Sequence, residues 1–221
     1  MEWPTTIADA KRLQEELVRR VKLTPLLREP LTICGVDAAY CAGQTVAAAV
    51  VYEYSTLTRR EEAVAALPTT FPYVPGYLSF REGPAILAAI DRLSATPDLF
   101  IVDGQGIAHP RGIGIATFLG VLLGRPTIGS AKSRLVGTYE EPLNNRGDWT
   151  PLTYHERTVG TVLRTRPGIK PLFISPGHLM TLAEAVEIVL HCCSRYRLPE
   201  PQRAADRLVG EKKREIVVQL S

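Results

Sequence analysis

An uninterrupted apolar segment followed by Asp-Gly, LFIVDG at residues 99–104, most restricts how this chain can fold. No polar residue alternates with the apolar ones, which is typical of a β-strand buried on both faces. Such a strand needs helices on each side of its sheet. Asp103 and Gly104 follow at its carboxyl end, which is where open α/β sheets bind their ligands.

The segments around this strand predict the other elements of the sheet. Three β-prone segments before it predict a β-meander, and they are residues 31–40, 45–54 and 58–67. Helical and strand-like segments then alternate, with helices predicted over 79–94, 113–123 and 181–196, and strands over 126–132, 171–177 and parts of 136–166. A first helix over 6–22 and a short basic helix after Pro199 and Pro201 complete the prediction.

This order of elements predicts an α/β fold with a mixed sheet. The first three strands are expected to be antiparallel, and helices are expected to cover both faces of the sheet. The spacing gives no indication of a second set of elements. We therefore expect a single domain over residues 1–221.

Composition and sequence pattern exclude several classes of protein. With 45% hydrophobic and 22% charged residues, the chain is unlike a disordered chain, a collagen or a coiled-coil rod. Its longest mostly apolar run, residues 113–123, is far shorter than the ~20 residues that span a bilayer, so no membrane partner is expected. The sequence begins without a secretory signal pattern and its four cysteines form no CxxC, which predicts a cytoplasmic protein with reduced thiols.

The distribution of charge is compatible with a polyanionic partner. The net charge is only +3, but basic residues outnumber acidic ones in segments 11–29 and 195–214. Lysine and arginine displace counterions from phosphates, which favours binding to nucleic acid. Solvated helix faces are the alternative interpretation of the same pattern.

Four carboxylates stand out by their context: Asp37, Glu82, Asp103 and Asp206. Asp37 lies within an apolar strand among small residues, where an uncompensated carboxylate is costly. Asp103 ends the apolar strand, Glu82 begins a predicted helix, and Asp206 lies in the basic C-terminal segment. Together they predict a hard-metal site of oxygen ligands, which suits Mg²⁺ better than Zn²⁺.

Three of these carboxylates also have purely structural interpretations. Asp103 could belong to an ordinary Asp-Gly turn. Glu82 could form a capping box with Ser79, and Asp206 could pair with Arg203 on the same helix face. The glycines at 104–106 and 112–114 do not complete GxGxxG, so a dinucleotide-dependent enzyme remains a further alternative supported only by incomplete motifs.

Five longer runs resemble the endonuclease V family, and they are residues 71–85, 103–116, 128–137, 175–178 and 196–207. The resemblance implies a ribonuclease-H-like fold and a role in DNA repair. It implies an endonuclease that uses Mg²⁺, with Mn²⁺ as a substitute, to cut the second phosphodiester bond 3′ to deoxyinosine, leaving 3′-hydroxyl and 5′-phosphate ends. The implied partner is DNA containing deoxyinosine, bound by a monomer, and some relatives also cut inosine-containing RNA.

The resemblance also implies roles for individual residues. Asp37, Glu82, Asp103 and Asp206 would hold the metal, with Asp37 and Asp103 as central ligands. Lys132 would act in catalysis by steadying the scissile phosphate or the attacking water; the alternative is an ordinary surface lysine. A non-cleaving module that binds inosine on the same fold is the alternative function.

A stiff loop is expected to insert into the substrate. The two prolines and one glycine of residues 71–77 exclude a helix or a central strand, so this segment is expected to be a loop. We call it the Tyr73 loop. Residues 72–75 match the wedge of the endonuclease V family, and this resemblance implies that Tyr73 enters the base stack while the inosine is extruded into a pocket. The alternative is that Tyr73 packs on the body of the protein as a core aromatic. His109 would contact phosphate or orient a ligand, or serve only as a structural histidine, and His178 could face the site. The expected substrate-binding residues are Pro72, Tyr73, Val74, Pro75, Gly76, Leu78, Gly104, His109, Ile115, Leu135 and His178.

Overall fold

The computed structural model describes residues 3–219, whose strands all join one eight-stranded sheet. The strands are β1 (Thr32–Cys41), β2 (Gln44–Glu53), β3 (Arg59–Pro68), β4 (Leu99–Val102), β5 (Thr127–Ala131), β6 (Trp149–Tyr154), β7 (Arg157–Leu163) and β8 (Leu172–His178). The helices are α1 (Ile7–Leu17), extended by a 3-10 turn over Val18–Arg20, α2 (Leu78–Ile90), α3 (Ile115–Leu123), α4 (Leu182–Cys192) and α5 (Glu200–Gln219).

The sheet is mixed, with the strand order β3-β2-β1-β4-β5-β8-β7-β6. Strands β1, β2 and β3 form an antiparallel meander, and β1, β4 and β5 are parallel neighbours. Strand β8 runs antiparallel to β5, and β7 and β6 continue the antiparallel half. The mixed sheet with three antiparallel first strands, and the ribonuclease-H-like fold that the resemblance implies, are confirmed.

Helices cover both faces of β4, as its uninterrupted apolar sequence predicts. Phe100 and Val102 pack on one face in a buried cluster with residues of α2 and α3. Leu99 and Ile101 pack on the other face, in a cluster with residues of α4. Because side chains alternate across a strand, one four-residue segment contributes to both cores.

The C-terminal helix differs from the prediction of a short element. Helix α5 spans twenty residues and begins at Glu200, so that Pro201 occupies its first turn. Proline is well tolerated there because the first backbone N–H groups of a helix have no intrahelical acceptor. Farther along, charged pairs one turn apart, such as Lys212 with Glu215, support the exposed face.

Helix α5 packs directly against the backbone of β1. A Cβ atom added at Gly35 would overlap the carbonyl group of Pro201. The buried Gln202 donates from Nε2 to the carbonyl oxygen of Ser130 in β5 over 2.9 Å. These two contacts fix the start of α5 across the parallel strands and so determine where its later residues lie.

The Tyr73 loop is held at both ends. Near its start, Arg81 donates to the carbonyl oxygen of Phe71 over 3.0 Å. Near its end, the carbonyl oxygen of Gly76 accepts from Gln14, His109 and Arg111. Gly76 has a φ of +80°, a conformation that glycine adopts without steric cost. The loop is ordered, as its proline content predicts.

His109 is a neutral hydrogen-bonding group in this arrangement. The backbone N–H of Arg111 donates to His109 Nδ1, so the ring proton lies on Nε2, which donates to Gly76. Burial and the nearby charge of Arg111 lower the pKa of His109 to about 4, although the hydrogen bond to Gly76 opposes the effect. The buried side chain is 4% exposed. Both ring nitrogen atoms of His109 are therefore engaged within the protein.

In residues 3–219, no helix combines the length and the apolar character that crossing a membrane requires. All four cysteines are free and buried. The capping box of Thr181 and Glu184 at the start of α4 forms as the sequence predicts.

Replacing Gly35 by alanine should lower the free energy of unfolding by about 1 to 3 kcal/mol, because the added methyl group meets backbone and not a flexible side chain. Chemical denaturation measures the effect. The matched control is Gly210→Ala in α5, where a Cβ atom meets nothing within 4 Å, and this change should be neutral or stabilising by up to about 1 kcal/mol. Equal stability of Gly35→Ala and the parent would contradict the close packing.

Acidification should remove a stability contribution that belongs to His109. Its folded-state pKa of about 4 lies below the ordinary 6.5, so between these values the unfolded chain binds the proton and the folded chain does not. The contribution is complete above pH 6.5 and is lost as the pH falls toward 4. When the pH is lowered from 7 to 5, the free energy of unfolding of the parent should fall by about 2 kcal/mol more than that of His109→Gln, because glutamine does not titrate. Denaturation curves with the same pH dependence in both proteins would refute this.

Candidate active site

Parallel pairing of β1 with β4 places two carboxylates side by side. In the register of these strands Val36 is opposite Val102, so Asp37 and Asp103 follow at the same edge of the sheet. The backbone N–H of Asp103 donates to the carbonyl oxygen of Val36 over 3.1 Å, which extends the pairing to this point. Neighbouring strands lie ~4.8 Å apart, so the two side chains emerge close together.

A third carboxylate comes from helix α5. One oxygen atom of each of Asp37, Asp103 and Asp206 lies within 4.8 Å of the other two. Asp37 and Asp103 are partly buried, whereas Asp206 is exposed. We call these three residues the carboxylate cluster. Its donor set consists of hard oxygen atoms, which suits a divalent cation such as Mg²⁺ or Mn²⁺.

Glu82 lies in the second turn of α2 and is not a member of the carboxylate cluster. It is close enough for the charges of Asp37 and Asp103 to influence its ionisation. The capping-box interpretation of Glu82 is wrong, because α2 begins after Tyr77 and no side chain caps it. A structural role at the helix start therefore does not account for this carboxylate.

Lys132 follows β5 and supplies positive charge to the cluster. Its Nζ atom lies 2.7 Å from Asp103 Oδ2 and 3.6 Å from Asp206 Oδ1. Burial alone would lower the pKa of Lys132, but its hydrogen bond to Asp103 and the surrounding carboxylates raise it, so the ammonium form is stabilised. The pairing of Asp206 with Arg203 does not form, because Arg203 pairs with Glu200 at 2.7 Å.

Burial and mutual repulsion oppose the simultaneous ionisation of Asp37 and Glu82 beside Asp103. Burial and the charge of Asp103 raise the pKa of Asp37 to about 7, although Lys132 opposes the effect. Burial and the charges of Asp37 and Asp103 raise the pKa of Glu82 to about 8. Like charges gathered in a poorly solvated place favour either protons or a cation. The arrangement can therefore bind a divalent ion with release of protons.

A cavity of about 370 Å³ opens beside the cluster. It joins the Tyr73 loop to Asp103 on one side and to Lys132 on the other. The predicted substrate-binding residues on its wall are Tyr73, Val74, Pro75, Gly76, Leu78, Gly104, His109, Ile115 and Leu135. Its mostly apolar wall and few polar groups are typical of a small-ligand site. The side chain of Tyr73 itself is 70% exposed.

His178 does not belong to this arrangement, which corrects its predicted place. Because β8 runs antiparallel to β5, His178 pairs with Thr127 at the end of β5 remote from Lys132. Its Nδ1 atom accepts from the backbone N–H of Lys22. Pro72 lies in the Tyr73 loop but is not on the cavity wall.

Two buried glutamines that the sequence analysis missed connect the walls of the site. Gln105 is 7% exposed and donates from Nε2 to the carbonyl oxygen of Ser133 over 2.9 Å, so it links the loop after β4 to the loop after Lys132. Gln14 reaches Gly76 from α1. The signal available in the sequence was a polar residue on the apolar face of a predicted helix, which is where Gln14 lies in α1.

Comparison with known proteins identifies the family. The sequence model of endonuclease V matches residues 15–207. Endonuclease V of Geotalea uraniireducens is 51% identical over 211 residues, which are 96% of this chain and 90% of that protein.

Solved structures give the same result. The crystal structure of endonuclease V from Streptomyces avermitilis superposes with a TM-score of 0.93 at 44% identity, covering 97% of this chain and 96% of that one. A structure of Ciona intestinalis endonuclease V in complex with a 24mer DNA containing an inosine followed by a ribo-adenosine gives a TM-score of 0.83 at 26% identity, with 95% and 98% covered. The chain belongs to the endonuclease V family.

Proposed function

We propose that this protein is an Mg²⁺-dependent endonuclease that cuts the second phosphodiester bond 3′ to deoxyinosine, leaving 3′-hydroxyl and 5′-phosphate ends. Mn²⁺ would substitute for Mg²⁺. The observation that carries the proposal is the carboxylate cluster, whose oxygen atoms lie within 4.8 Å of one another beside a cavity and an exposed tyrosine. Deoxyinosine arises by deamination of adenine in DNA, so the activity would serve DNA repair.

Asp37 and Asp103 would be the central metal ligands. Asp206 would complete the set, and Glu82 would act through a water molecule, since it lies outside the carboxylate cluster. A divalent ion bound there would supply a more acidic water and would neutralise charge on the leaving oxygen. The four carboxylates would otherwise repel a phosphodiester, so the ion also makes the site compatible with a polyanion.

Lys132 would steady the scissile phosphate or the attacking water. Its ammonium group now pairs with Asp103, but its side chain is 40% exposed. The long flexible stem allows the charge to turn toward a phosphate once a divalent ion neutralises the carboxylates. The lysine would therefore balance the cluster before metal binds and contact the substrate afterwards.

The Tyr73 loop and the cavity would select the damaged base. An inserted Tyr73 would replace the stacking of the extruded nucleotide, which would then enter the cavity lined by Leu78, Gly104, Ile115 and Leu135. Hypoxanthine carries an oxygen at position 6 and a proton on N1. A backbone N–H that faces this oxygen would reject adenine, whose amino group would leave donors unpaired. The inosine-containing DNA bound by the Ciona protein supports this substrate class.

Product mapping on DNA and RNA oligonucleotides with one inosine tests the proposal. With Mg²⁺, the DNA should be cut once at the second bond 3′ to the lesion, and EDTA should abolish the cut. A parallel experiment in Ca²⁺ measures binding of the oligonucleotides separately from cleavage. Binding without cutting in Mg²⁺ would instead favour the non-cleaving inosine-binding module. The RNA arm tests the prediction of activity on inosine-containing RNA, and the monomeric state and cytoplasmic location likewise stay predictions.

Removing either central ligand should abolish cleavage. Asp37→Asn and Asp103→Asn should each reduce the cleavage rate at least about 100-fold in Mg²⁺, because the metal's stabilisation of the transition state is worth several kcal/mol. Single-turnover cleavage of an inosine duplex measures the effect, and thermal unfolding checks that the variants fold. Asp91→Asn, an exposed carboxylate at the end of α2, is the matched control. Full activity of either cluster variant would refute the metal assignment.

Removing the exposed ring of Tyr73 should weaken lesion binding. Tyr73→Ala should cost about 1 to 3 kcal/mol of binding free energy, the scale of one aromatic–base stack. Equilibrium binding to inosine duplex in Ca²⁺ measures the loss. Tyr73→Phe keeps the ring and should retain most of the affinity, whereas unchanged affinity in the alanine variant would make the loop merely structural.

A further inference from the structure

We infer that Gln14 of helix α1 is a positioning residue that holds the Tyr73 loop in the geometry required to bind the lesion. The inference rests on the proposed function, because it assigns the loop to the substrate. Gln14 lies just before the segment 15–207 that matches the family, and 62 residues separate it from Gly76.

Both ends of the Gln14 amide are engaged. Its Nε2 atom donates to the carbonyl oxygen of Gly76 over 3.0 Å, and its Oε1 atom accepts from Arg111 Nε over 2.6 Å. The residue is 0% exposed. Because the donor and the acceptor of the amide both have partners, its orientation is fixed. Loss of either partner would leave a buried polar atom without a hydrogen bond, which would destabilise the folded protein.

Three donors converge on the Gly76 carbonyl oxygen. Besides Gln14, Arg111 donates from Nη2 over 2.6 Å, and His109 donates from Nε2 over 3.1 Å. The Arg111 guanidinium also lies 4.3 Å from the ring centre of Tyr77. Gln14 thus links α1, the loop after β4 and the end of the Tyr73 loop in one network. Gln14 therefore acts on the Gly76 carbonyl in two ways: it donates to this oxygen itself, and it orients Arg111, which also donates to it.

The position of this network gives it a consequence for binding. Gly76 is three residues from Tyr73, and the cavity wall includes Gly76 and His109. A loop that must be ordered on binding loses conformational entropy at that step, whereas one already held does not. Releasing Gly76 would therefore weaken binding that uses Tyr73 and would leave other contacts with DNA unaffected.

A double-mutant cycle tests the inference. Gln14→Met preserves the length of the side chain and removes both hydrogen bonds. Equilibrium binding is measured in Ca²⁺ with inosine duplex and with undamaged duplex, for the parent, Gln14→Met, Tyr73→Ala and the double variant. Gln14→Met should weaken inosine binding about 5- to 20-fold when Tyr73 is present and less than about 2-fold when it is absent. Binding to undamaged duplex should stay within about 2-fold throughout.

Controls separate positioning from simple loss of stability. Ala8→Gly, on the exposed face of α1, lowers the stability of the helix by up to about 1 kcal/mol and should leave inosine affinity unchanged. If Gln14→Met does not fold at the assay temperature, Gln14→Glu replaces it in the cycle, because it keeps an acceptor for Arg111 and loses the donor to Gly76.

The outcomes are distinguishable. Equal losses with and without Tyr73, or no loss in either background, would overturn the role of Gln14. A parent protein that binds inosine and undamaged duplex equally would instead overturn the proposed function.

Discussion

The mutual repulsion of Asp37 and Asp103 is the constraint around which the site is organised. Parallel pairing of β1 with β4 forces the two carboxylates to the same edge of the sheet, and burial removes most of the water that would screen them. The adjacent Lys132 supplies one compensating charge. A site of this kind gains more from a divalent cation than a solvated acidic surface would, because charge interactions strengthen as water is excluded.

The two halves of the site are held by different kinds of interaction. Charges determine the carboxylate half, where Lys132 lies within ion-pair distance of Asp103 and Asp206. Hydrogen bonds to the Gly76 carbonyl oxygen, from the neutral Gln14 and His109 and from the charged Arg111, determine the other half together with aromatic packing. The carboxylate half thus depends on ion pairs, whereas the half that holds the Tyr73 loop depends on hydrogen bonds to one backbone carbonyl oxygen.

The sequence predicted the parts of the fold that depend on local pattern. The apolar segment of β4, the meander and the carboxylates at strand ends all follow from periodicity and position. Strand direction does not follow from them. The family resemblance suggested His178 at the site, but β8 runs antiparallel to β5 and places this histidine at the end of β5 remote from Lys132. Pro199 and Pro201 suggested a shorter C-terminal helix, since a breaker and an N-terminal proline look alike in sequence. Gln14 and Gln105 were missed because an amide carries no charge and its hydrogen-bond partners lie far away along the chain.

The contact of Gly35 with Pro201 has a consequence for how the enzyme matures. Asp206 reaches the carboxylate cluster only because α5 lies against the β1 backbone, and α5 follows every strand of the sheet along the chain. During synthesis, the segments that form the sheet, the cavity and the Tyr73 loop leave the ribosome before the segment that forms α5. A chain at that stage could fold around a recognition surface while its cutting centre still lacked one carboxylate. Under the proposed function, the order of synthesis would thus delay hydrolysis until the segment that forms α5 has been made.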